Sequence, residues 1–97
     1  MKKIELQLKI NGETKTFTCA EAKGILFMKT LDVAKIFESL ANEITREKVD
    51  KLVDYMVEVF NNQFTREEFY DGIDLSGMLK KIQETAETII DMAGSEI

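Results

Sequence analysis

At the start of the chain apolar and polar positions alternate strictly: Ile4, Leu6, Leu8 and Ile10 are separated by Glu5, Gln7 and Lys9. A period of two puts one set on each face of a β-strand. Asn11-Gly12 follows, the pair favoured in a two-residue type I′ turn because both central residues need positive φ. Thr14 to Cys19 supplies the return strand, so a hairpin is expected over residues 3–19. With Ile10 opposite Glu13, Leu6 falls opposite Phe17 and Ile4 opposite Cys19. The apolar side of this hairpin needs cover, since an isolated hairpin is marginal in water.

The spacing then lengthens to three and four. Over about residues 21–42, Leu26, Phe27, Leu31, Val33, Ala34, Phe37 and Ala41 recur at helical steps, with Gly24, a poor interior helix residue, allowing the true start to fall just after it. Ile36 and Leu40 widen the apolar arc to roughly half the circumference, broader than the stripe of an ordinary surface helix. A second helix is expected over 46–60, capped by Thr45 and carrying Val49, Leu52, Val53, Met56, Val57 and Phe60 on one face. Thr65-Arg66-Glu67-Glu68 reads as a capping box, with Phe64 and Phe69 placed as a hydrophobic staple, and opens a short helix over 66–71. Gly72 is the expected left-handed residue that ends it. Asp74 caps a last helix over 75–93, striped by Leu75, Met78, Leu79, Ile82, Ala86, Ile89, Ile90 and Ala93, with Gly94 closing it and Gly77 weakening its first turn. The expected architecture is α+β and mainly α: one domain, 1–97, with an N-terminal hairpin followed by three to four helices.

Composition removes most chemistry from consideration. The 97 residues contain no His, no Pro and no Trp, and Cys19 is the one cysteine. No imidazole base, His-ligated metal, internal disulfide or cysteine cluster can therefore be built. Cys19, at a strand end facing Ile4, fits a small buried hydrophobe better than a nucleophile. Asp71-Gly72-Ile73-Asp74 resembles a calcium loop only superficially. Setting Gly72 at its sixth position puts Phe69 and Met78 at the third and twelfth, and neither side chain binds a hard cation. Phosphate-loop glycine patterns are absent. No catalytic residue, metal or cofactor is expected.

Net charge is -5, and residues 61–97 carry all of that excess. Phosphate binding needs clustered Lys and Arg, so nucleic acid is not an expected partner. No apolar run approaches the roughly 18 residues of a membrane-spanning helix, and MKKIELQLKI has charges inside its apolar stretch, unlike a signal peptide. At 44% apolar residues the chain instead has more apolar face than a small core is expected to hide. That points to association. Phe60, Phe64, Phe69 and Tyr70 are the expected partner contacts, and Ile36 and Leu40, on the broad side of the first long helix, the expected self-association contacts of a homo-oligomer.

KIELQLKINGETKTFT, then a long helix, then KLVDYMVEVFNNQFTREEFYDGID resembles the small tail assembly chaperones encoded by siphophages and prophages of Gram-positive bacteria. The likeness covers roughly residues 2–80 and is most distinctive from Val57 to Thr65 and from Phe69 to Gly72. It implies a non-enzymatic morphogenesis factor in the cytoplasm of the bacterial host. Such a factor binds the long, helical tape-measure protein, keeps it soluble, helps recruit major tail-tube subunits and is absent from the mature virion. It also implies that this chain is the short form of a frameshifted pair. The family assigns no catalytic residues. The competing reading is a small phage-encoded regulatory or inhibitory protein-binding module, which would bind one to one where a chaperone coats a long partner in many copies.

Overall fold

The computed structural model describes residues 4–19 and 21–94. Two strands, β1 (Glu5–Ile10) and β2 (Glu13–Thr18), form an antiparallel hairpin. Leu6 lies opposite Phe17 and Ile10 opposite Glu13, and the Cys19 amide donates to the Ile4 carbonyl at 3.0 Å, the expected register. Asn11 and Gly12 both have positive φ, 53° and 79°, as a type I′ turn demands. The two strands have different fates. Leu6 and Leu8 of β1 are 1% exposed, whereas β2 is exposed along most of its length.

Four α-helices follow: α1 (Gly24–Leu40), α2 (Arg46–Val59), α3 (Arg66–Gly72) and α4 (Met78–Gly94). The chain is therefore α+β and mainly α. Helix α2 begins at Thr45, whose hydroxyl accepts from the Lys48 amide at 3.2 Å. It ends on Asn61 and Asn62, both left-handed with φ of 56° and 59°. Asparagine tolerates that region better than most side chains. The Asn62 amide reaches back to the Val57 carbonyl and the Asn61 amide to that of Glu58, the paired bonds of a Schellman close.

The capping box at Thr65 forms in both directions, with the Glu68 amide donating to the Thr65 hydroxyl and the Thr65 amide to the Glu68 carboxylate. The Phe64 and Phe69 rings of the staple stack 6.1 Å apart.

Three expectations are corrected. Gly72 does not have the left-handed φ assigned to it, because Gly12 is the positive-φ glycine among the described residues. Gly72 is instead required by packing: a Cβ there would lie 2.9 Å from both the amide nitrogen and the carbonyl oxygen of Lys9, so α3 lies directly against the backbone of β1. The last helix does not start at Leu75 either. Leu75–Gly77 forms a 3-10 turn, and Asp74 bonds the Ser76 hydroxyl and caps no backbone amide with its side chain. Leu75, placed on the buried stripe by its spacing, is 85% exposed because that turn lies outside the helical phase of α4. Helix α1 is shorter at both ends than its pattern suggests.

In the core α1 packs on α2 and α4, α2 also meets α3 and α4, and α3 lies on β1. Leu52, Val53, Met56 and Val59 of α2 have no exposed surface, with Phe60, Phe69 and Ile82 equally enclosed. Thr30 and Tyr55 put a polar pair inside it. The Thr30 hydroxyl donates to the Leu26 carbonyl at 2.6 Å, leaving its lone pairs to accept from the Tyr55 hydroxyl, also at 2.6 Å.

Candidate interaction surfaces

The four aromatic residues expected as partner contacts come together, and three of them, Phe60, Phe64 and Phe69, lie inside the chain. Phe64 is their hub: its ring stands 5.0 Å from that of Phe17, 5.7 Å from Phe60 and 6.1 Å from Phe69. Phe60 and Phe69 are fully buried and Phe64 nearly so. They weld β2 and the α2–α3 corner to the core and have no surface to offer a partner in this conformation. A run of phenylalanines at a tight helix–helix corner covers the underside of the hairpin, a placement that depends on elements far apart in sequence.

Tyr70 lies at the rim, half-buried. Its hydroxyl donates to the Asp50 carboxylate at 2.6 Å. Burial, and then that carboxylate, push its pKa up to about 12, because both penalise a second negative charge there. Arg66 completes the corner with two bonds to Asp54, 2.8 and 2.7 Å long. Cys19 is pushed up by burial, which suppresses the thiolate that nucleophilic chemistry requires.

Ile36 and Leu40 are half-buried and pack against the core. Ile36 also lines a groove between α1 and α2, beside Val33, Asp54 and Tyr55. The most exposed apolar side chains of α1 are others. Ile25, Met28 and Leu31, at successive three-residue steps on its outer side, are 59%, 57% and 40% exposed. Ile25 and Met28 escaped the sequence reading because they fall outside the stripe that the rest of the helix defines. Ile90 and Met92 on α4, and Ile44 before α2, are further large exposed apolar residues.

Among the described residues, no group of three or more Cys, Asp or Glu side chains is arranged to hold a metal, and no helix is long and apolar enough to cross a membrane. The surface cavities are open grooves.

A family model described as "phage tail chaperone protein" matches residues 1–95. No match was found among curated proteins or among solved structures.

Proposed function

This chain belongs to the phage tail chaperone family, which is not a class of enzymes, and on that premise we propose that it binds the tape-measure protein during tail assembly. It keeps that partner soluble and helps recruit the major tail-tube subunits, acting in the cytoplasm of the bacterial host and staying out of the mature virion. The observation that carries this reading is the apolar row Ile25, Met28 and Leu31 on the outside of α1. A long helical partner offers apolar stripes that aggregate when uncovered, and an exposed row of this kind covers one by helix-to-helix contact. Met28 suits a surface that must fit many successive segments, because its unbranched thioether adapts to irregular neighbours.

Many copies along one partner require contact between copies. For that role we propose Ile36 and Leu40, which border the outer face of α1, as the self-association positions. Ile36→Glu is expected to lower the mass measured by light scattering, with thermal unfolding run alongside to register any loss of fold.

Co-expression with the tape-measure protein tests the main reading. That protein should stay in the soluble fraction when the chain is present and enter the pellet when it is absent. The double variant Met28→Glu, Leu31→Glu should lose this effect and keep its thermal midpoint, since both side chains already face water. A tape-measure protein equally insoluble in both cases would overturn the reading.

A further inference from the structure

The hairpin leaves one edge of β1 open. The Cys19 amide donates to the Ile4 carbonyl, and in an antiparallel pair bonded and non-bonded positions alternate. Leu6, Leu8 and Ile10 therefore turn their peptide groups toward β2, while Glu5, Gln7 and Lys9 turn theirs away. The close approach of Gly72 to the nitrogen and oxygen of Lys9 confirms that phase and closes the edge at that end. Among the described residues, nothing pairs with the outward N–H and C=O of Glu5 and Gln7.

That open stretch is not bare surface. It forms one wall of a groove of about 380 Å³, whose opposite wall is Ile73, Asp74, Gly77 and Lys81. A second groove of about 200 Å³ continues past Lys81 to Glu84. Lys81 and Glu84 share one face of α4, and Gly77, in the 3-10 turn before it, lines the same groove wall as Lys81. The distance from Gly77 to Glu84 is about 10 Å at the helical rise, matched by about three to four residues of extended chain. Glu5, Asp74 and Glu84 set three carboxylates against the single ammonium of Lys81, and none of the four enters an ion pair among the described residues. A Cβ at Gly77 would meet nothing within 4 Å, so the missing side chain serves no packing need of this chain and widens the groove.

We propose that this groove binds a short extended segment of a partner protein, bearing basic side chains, which adds a third strand to the hairpin at Glu5–Gln7. Unpaired peptide groups of an edge strand are a template for another strand, and the acidic walls select basic side chains on it. The proposal does not depend on which protein supplies the segment, so it stands or falls apart from the tape-measure reading.

The probe is a blocked hexapeptide of alternating lysine, valine and threonine, added to isotope-labelled chain and followed by NMR. Amide shifts should concentrate at residues 5–7 and 77–84, with the Gln7 amide protected from exchange. The same peptide methylated on its central nitrogens, or with glutamate in place of lysine, should bind about tenfold more weakly. Gly77→Leu should fill the groove and abolish binding without lowering the thermal midpoint. Shifts centred elsewhere, no shifts at millimolar peptide, or equal binding by the methylated peptide would overturn the proposal, and the peptide comparisons need no variant to fold. A mass that rises with protein concentration, and stops rising in Gly77→Leu, would assign the edge to a second copy and overturn it as well.

Discussion

Gly72 shows how much one hydrogen atom can decide. Its Cα rests against the Lys9 peptide, so Gly72→Ala must push α3 away from β1. A loss of about 1–3 kcal/mol is expected from such overpacking, read from urea unfolding. The buried Thr30–Tyr55 pair is exposed to the opposite error. Thr30→Val keeps the volume but leaves the Tyr55 hydroxyl without its partner, a cost of about 1–3 kcal/mol. Adding Tyr55→Phe should recover part of it, which a double-mutant cycle will show. The two tyrosines also give the fold a pH limit. Both titrate above their ordinary value of about 10, Tyr70 at about 12. A fold that prefers the neutral phenol keeps this contribution in full below about pH 10 and loses it as pH rises toward that of Tyr70. Tyrosinate absorbance should therefore lag in the folded chain, then rise together with loss of helical circular dichroism, and Tyr70→Phe should flatten the alkaline limb.

At the scale of elements, legibility followed the range of the interaction. The hairpin register, the Asn11-Gly12 turn, the Thr45 cap and the Thr65–Glu68 box were readable because each is decided within a few residues. Thr65→Ala should cost about 1 kcal/mol through the loss of that box, measured by thermal unfolding. What could not be read depends on elements far apart in sequence. Helix α1 has an apolar arc of about half its circumference, and only its neighbours determine that Leu26 and Val33 turn inward while Leu31, on the same arc, faces water. Leu75 followed the period of α4 but sits one turn too early, in the 3-10 segment that Gly77 ends. Gly72 carried two valid readings, a left-handed close or a close approach, and the second depends on a strand that the sequence places more than sixty positions earlier.

For the whole molecule, the large apolar side chains left at the surface include Ile25, Met28 and Leu31 of α1, while Phe60, Phe64 and Phe69 are buried. The aromatic group that looked like a binding surface is the structural joint of the chain, so Phe64→Ala or Phe60→Ala should cost about 3–5 kcal/mol and unfold the protein broadly, with no selective effect on a partner. Selective effects are expected at the two proposed partner surfaces, the outer side of α1 and the open edge of β1. These two surfaces suit different partner conformations, one a helix and the other an extended strand. The excess acidity of residues 61–97 lies partly along the second of them, through Asp74 and Glu84, which gives a local meaning to a charge that on composition alone reads only as solubility.

The contact between Gly72 and Lys9 also constrains the order of folding. A two-stranded hairpin does not hold its shape alone, so Leu6 and Leu8 stay uncovered until α3 arrives from far along the chain. Closing that long loop costs entropy before any burial repays it. The hairpin, although it is synthesised first and has the most local pairing, should be among the last elements to consolidate. Its strands should gain exchange protection after α2 and α3 have met, and destabilising it at Gly72 should speed unfolding while leaving the refolding rate nearly unchanged.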